Sequence, residues 1–201
     1  MNIFTETSEV YQTPNERVIY TIDTTNWGGT PTSPSAKAYD EGNSDTDVTT
    51  TLFPTNSPSV SSDDIALSLL RAMTVAHTYR IETAFTNGYG TQECIFKANC
   101  IAYYIVGTFA QSATASVART LDTTDFGGTP TSIVITAYDE TLADTDVTST
   151  IISNASPSAS GDDIPYTVKS LTKGHVYRIA IKFTSTSSQI FEPSIRAYCV
   201  Y

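Results

Sequence analysis

The sequence predicts an all-β chain built from two tandem β-sandwich domains that arose by internal duplication. Three observations carry the prediction. The chain of 201 residues runs through the same order of segments twice. Its apolar runs are short and its turn residues dense, as in a sandwich of short strands. Several runs alternate with period two, and no segment sustains a helical apolar period.

The duplication is read directly. Asp23-Thr24-Thr25-Asn26-Trp27-Gly28-Gly29-Thr30-Pro31-Thr32-Ser33 returns as Asp122-Thr123-Thr124-Asp125-Phe126-Gly127-Gly128-Thr129-Pro130-Thr131-Ser132. Tyr39-Asp40-Glu41 returns as Tyr138-Asp139-Glu140, and Asp45-Thr46-Asp47-Val48-Thr49 as Asp144-Thr145-Asp146-Val147-Thr148. His77-x-Tyr79-Arg80-Ile81 returns as His175-x-Tyr177-Arg178-Ile179. The offset is about ninety-nine residues, the common size of one domain with one core. It is too long for a solenoid unit of about 20 to 50 residues.

This spacing divides the chain into an amino-terminal arm (1–16), repeat one (17–102), a join (103–116) and repeat two (117–201). Strands are expected in repeat one near 17–22, 34–39, 47–53, 58–60, 64–70, 78–86 and 93–102. In repeat two they are expected near 116–121, 133–138, 146–152, 157–159, 163–169, 176–184 and 191–200. The alternation is clearest in Tyr177-Arg178-Ile179-Ala180-Ile181-Lys182-Phe183, where the large apolar residues point one way and the cations the other.

One local motif narrows the fold. Leu171-Thr172-Lys173-Gly174-His175-Val176-Tyr177 precedes an alternating strand, and repeat one has Met73-Thr74-Val75-Ala76-His77-Thr78-Tyr79. The motif resembles the tyrosine corner of immunoglobulin-like and fibronectin type III domains. There a Tyr hydroxyl bonds backbone a few residues upstream and pins the crossover between two strands. The resemblance assigns Tyr79, Tyr177 and Gly174 a structural role. Ala76 stands in repeat one where Gly174 stands in repeat two.

The formal net charge is −10, and both repeats are acidic. That argues against a nucleic-acid partner, whose phosphates call for Lys and Arg, and against an anionic membrane surface. No stretch approaches the roughly eighteen apolar residues of a membrane span. Met1–Glu6 lacks a basic region followed by an apolar run, so no secretory signal is expected. Cys100 and Cys199 occupy one position in the two repeats, and Cys94 lies about 20 Å from Cys100 at strand rise, beyond disulfide reach. Buried thiols are expected.

Three sets of residues are candidate sites. Asp40, Glu41, Asp45, Asp47, Asp63 and Asp64, with Asp139, Glu140, Asp144, Asp146, Asp162 and Asp163, offer loop carboxylates to calcium, which wants roughly six to eight oxygens. Their spacing does not fit an EF-hand, and turn chemistry accounts for them; neither a metal nor another cofactor is expected. Trp27 and Phe126 precede the Gly-Gly-Thr-Pro turns and are the candidate binding residues, as stacking platforms for a sugar or a partner protein. The competing reading makes them plugs over the open end of each sandwich. His77 and His175 lack a nucleophile or metal in pattern, so no catalytic residue is assigned and no enzyme is expected.

The repeat pattern is similar to the small immunoglobulin-like proteins encoded among the structural genes of tailed bacteriophages. The resemblance covers the two repeats. It implies a non-enzymatic virion structural protein, assembled in host cytoplasm, acting as a capsid decoration or cement subunit or as a neck or tail adaptor. Its partners would be other virion proteins such as capsid or neck and tail subunits, in an oligomer or array, through exposed edge strands, loops and the arm at 1–16. The alternative is a carbohydrate- or cell-surface-binding module using Trp27 and Phe126.

Overall fold

The computed structural model describes residues 2–3 and 8–200. The chain divides into two compact units, Met1–Ala102 and Tyr103–Tyr201. In unit one the strands are β1 (Asn2–Ile3), β2 (Glu9–Gln12), β3 (Thr21–Asp23), β4 (Thr32–Asp40), β5 (Thr46–Asp47), β6 (Ser59–Ser61), β7 (Asp64–Ala66), β8 (Thr78–Asn87) and β9 (Gly90–Cys100). In unit two they are β10 (Ile105–Gln111), β11 (Val117–Asp122), β12 (Thr131–Asp139), β13 (Thr145–Asp146), β14 (Asp163–Val168), β15 (Val176–Thr184), β16 (Ile190–Phe191) and β17 (Ser194–Cys199). Single helical turns lie at α1 (Thr49–Leu52) and α2 (Thr148–Ile151). None is long and apolar enough to cross a membrane.

Unit one has two sheets, in the orders β1-β3-β7-β6 and β2-β9-β8-β4-β5. These reproduce the A-B-E-D and G-F-C orders of an immunoglobulin-like sandwich. Unit two repeats the second sheet as β10-β17-β15-β12-β13 but reduces the first to β11-β14. The protein is therefore two tandem immunoglobulin-like β-sandwiches. The pattern that predicted them also fills them: along β8 every second residue from Tyr79 to Phe85 is buried. Phe53, Ile65, Ile81 and Phe96 form the core of one sandwich, and Ile135, Ile164, Ile179 and Phe183 that of the other. Each such side chain contributes about 1.5–3 kcal/mol on burial.

Four sequence-based assignments differ from the structure. The repeat spacing places 1–16 outside repeat one, and residues 1 and 4–7 lie outside the described residues. Residues 9–12, however, form β2, parallel to β9, with Gln12 opposite Cys100. Likewise residues 105–111 of the join form β10, parallel to β17. The reason is one residue used twice. Gln12 is buried, and its amide donates to Glu16 O at 3.0 Å and Leu70 O at 3.1 Å. The Gln111 amide donates to Ala115 O at 3.1 Å and Val168 O at 3.0 Å.

Strands expected at 47–53 and 146–152 give way to α1 and α2. Asp47 accepts the Thr49 N–H at 2.9 Å, and the Thr49 hydroxyl accepts the Ala38 N–H at 2.9 Å. The same pair forms at Asp146, Thr148 and Ala137. These bonds curl a run of β-formers so that Leu52 and Phe53, or Ile151 and Ile152, enter the core. A strand expected at 157–159 is missing among the described residues. Ser160 alone bridges Asp163. Val60, opposite Ile65 in repeat one, is replaced by Ala159, with less β preference and less surface to bury.

Candidate contact surfaces and polar clusters

The corner before β8 and β15 is built alike in both units. Tyr79 Oη accepts the Thr74 N–H at 2.8 Å, and Tyr177 Oη accepts the Thr172 N–H at 2.8 Å. The turn needs a left-handed residue, which is Gly174 at φ +81° and Ala76 at φ +66°. Beside each Tyr lies a histidine whose partner the sequence reading missed. His77 Nδ1 sits 2.8 Å from Asp40, and His175 Nδ1 sits 2.7 Å from Asp139. Both aspartates are buried at the ends of β4 and β12, so each needs such a donor. The signal was present, because Tyr-Asp-Glu and His-x-Tyr-Arg-Ile recur together in both copies.

The remaining acidic residues are distributed among the solvent-facing cations and the turns. In unit one Glu41 meets Lys97 at 2.8 Å and Asp45 meets Arg80 at 3.3 Å. In unit two Glu140 holds Arg196 through two bonds of 2.8 and 3.1 Å, which raises the guanidinium pKa. Arg178 lies between the rings of Tyr103 and Tyr138, 4.3 Å from each centroid. Asp63 and Asp162 accept the Thr30 and Thr129 hydroxyls. Among the described residues no group of three or more His, Cys, Asp or Glu is placed to hold a metal ion. All three cysteines are buried; burial, with a smaller push from Glu16, raises the Cys100 thiol to about 11.

Trp27 and Phe126 occupy equivalent turns but have different surroundings. Trp27 is half-buried and stacks on Phe85 at 5.6 Å between centroids. Its carbonyl accepts the Asn87 amide from the β8–β9 hairpin. That two-residue hairpin carries Tyr89, which is 80% exposed. The Tyr89 ring fills the place where a Cβ on Gly28 would stand, 2.0 Å from its Cδ2. Asn26, Trp27, Tyr89, Gln92 and Glu93 line an open cleft of about 390 Å³. Sequence reasoning missed Tyr89 because nothing in repeat two matches it. There the connection after β15 is longer, and β16 brings Phe191 to 5.3 Å from Phe126. Phe126 also meets Phe183 edge-on at 5.7 Å.

A second difference lies along a sheet edge and reaches the Phe126 turn. In unit two a groove of about 750 Å³ opens between β10 and β11. Arg119 lines it and lies over the Phe109 ring, 3.4 Å from its centroid. The equivalent residue in unit one is Tyr20, buried with its hydroxyl 3.2 Å from Gln12 Oε1. Burial raises the Tyr20 pKa.

No family model matches the chain, and no curated protein matches it. Among solved structures it is similar to the titin domains Z1Z2 in complex with telethonin, at 13% identity over 98% of this chain and 92% of that one, with a TM-score of 0.30. It is also similar to Dpr2 Ig1–Ig2 in complex with DIP-Theta Ig1–Ig3, at 12% identity over 95% and 94%, with a TM-score of 0.31. SporoSAG from Toxoplasma gondii matches at 10% identity over 97% and 98%, with a TM-score of 0.28. Likeness this distant carries no argument, and the fold assignment rests on strand order and pairing.

Proposed function

We propose that the protein is a non-enzymatic structural protein of a tailed-phage virion that works through protein–protein contacts. It would serve as a decoration or cement subunit of the capsid, or as an adaptor at the neck or tail. It would be arrayed with capsid, neck or tail subunits after assembly in host cytoplasm. One observation carries the reading. The chemistry-bearing groups that both repeats share, the His–Asp pairs and the Asp–Thr turns, are spent inside their own sandwich. What differs between the repeats is exposed aromatic surface and open strand edge, which is contact chemistry. Imaging of native particles, with the solution mass of the purified protein from light scattering, tests it. A repeated ordered layer of this protein on a capsid, neck or tail is expected. A soluble protein absent from every particle would contradict it.

A second reading, a carbohydrate- or cell-surface-binding module, is favoured by the cleft of Trp27 and Tyr89 with Asn26, Gln92 and Glu93 around it. An aromatic face with nearby amides suits a sugar ring. It predicts glycan binding that is lost on Trp27→Ala or Tyr89→Ala and reduced less by Phe126→Ala. A blank glycan array would remove it.

A further inference from the structure

Among the described residues, repeat two is one strand short of repeat one at a defined edge. In repeat one the outer side of β3 is covered by β1, with Asn2 opposite Thr21 and Ile3 opposite Ile22. The same edge in repeat two belongs to β11, which pairs with β14 on one side. Among the described residues no strand pairs with its other side. The two edges carry nearly the same residues, Thr21-Ile22-Asp23 and Thr120-Leu121-Asp122. The chain ahead of repeat two is already used. Residues 105–111 are consumed in β10. The next five residues turn directly into β11, with the Ala115 N–H donating to Ser112 O at 3.2 Å.

The groove beside this edge is lined by apolar side chains, Val106, Phe109, Leu121, Tyr166 and Ile195 among them, and equally by polar ones such as Thr108, Thr120 and Asp122. Gly107 also lines it, and a Cβ built there would meet nothing within 4 Å. Arg119 contributes a buried Nε that has no hydrogen-bond partner.

We propose that the open edge of β11 and this groove bind an extended segment of a partner protein as an added β-strand. The unpaired backbone groups of β11 supply the bonds, and the groove takes the inward side chains. The pairing in repeat one defines the chemistry of the occupant: a small polar residue opposite Thr120, an aliphatic one opposite Leu121. The strand comes from outside, not from a second copy of this chain. Among the described residues β3 and β11 are two such edges and β1 is the one strand that covers either, so moving β1 from copy to copy covers one edge only by uncovering another. The inference rests on the contact role proposed above and names the surface that would perform it.

The probe is the peptide Met-Asn-Ile-Phe-Thr-Glu-Thr-Ser, the chain's own first eight residues, labelled and titrated against the full chain by fluorescence anisotropy. Saturable binding with one peptide per chain is expected. Gly107→Trp, which fills the groove from a position with room for a side chain, should weaken it by at least about tenfold with the unfolding temperature unchanged. If that variant does not fold, Ala118→Arg on the exposed side of β11 serves as the block and should weaken binding similarly. Absence of saturable binding to the wild-type chain would overturn the proposal. So would binding that the blocking variant leaves unchanged, since the peptide would then sit elsewhere. Concentration-dependent self-association abolished by the block would overturn the choice of an outside partner. Failure of the peptide with the protein still found in particles would sink this surface and spare the contact role.

Discussion

In repeat one, position 20 is a Tyr buried against Gln12; in repeat two the matching position is Arg119, stacked on Phe109 beside an open groove. The loop ends differ in the reverse sense. Repeat one exposes Tyr89 there, whereas repeat two packs Phe126 against Phe191. The cores, the corners and the His–Asp pairs are held in common. Duplication has therefore kept what folds the sandwich and varied what a neighbour would touch.

The largest test of this contrast is to move one residue across it. Tyr20→Arg puts a cation into a filled core where Arg119 has a groove. It should destabilise repeat one by about 3–5 kcal/mol, seen in calorimetry as an early transition of one unit. A small effect would mean that the two edges are not different after all. Next come the shared pairs. His175→Ala removes one donor from the buried Asp139 carboxylate, which keeps the Thr141 N–H at 3.0 Å, and should cost about 1–3 kcal/mol. His77→Ala should cost repeat one a similar amount, and unequal losses would show that the pairs are not equivalent.

Smaller effects sharpen the corner. Ala76 holds a left-handed conformation that costs about 1 kcal/mol for a residue with a Cβ. Ala76→Gly should raise the stability of repeat one by up to that amount, and Gly174→Ala should lower that of repeat two, as read by chemical denaturation. The smallest effect is in acid. The Thr148 hydroxyl and N–H hold Asp146 below the usual carboxylate range, and the Thr49 N–H and hydroxyl do so for Asp47. A depressed folded-state pKa stabilises above the unfolded value of 3.8 and is lost as pH falls through the folded one. Asp47→Asn and Asp146→Asn should flatten the acid limb of the stability curve to the same degree.

Much of this was legible in the sequence because it was written twice. The duplicated segments and the period-two alternation through Phe183 specify two sandwiches, and the Tyr before each long strand marks the corner. Three features escaped for physical reasons. Gln12 and Gln111 lie outside the obvious repeat, and their role depends on bonds to carbonyls more than fifty residues away. The turns at Thr49 and Thr148 are set by side-chain bonds to a neighbouring strand, which override the β preference of Thr and Val. Tyr89 and the open edge of β11 are differences between copies, and a reading built on recurrence passes over what does not recur.

The measurement that tests the central contrast most directly is amide hydrogen exchange on the intact chain, comparing residues 21–23 with residues 120–122. Residues 120–122 are expected to exchange faster, because among the described residues no strand pairs with the outer side of β11 while β1 covers that of β3. Equal protection of the two segments would show that the edge of repeat two is already covered, and would contradict it.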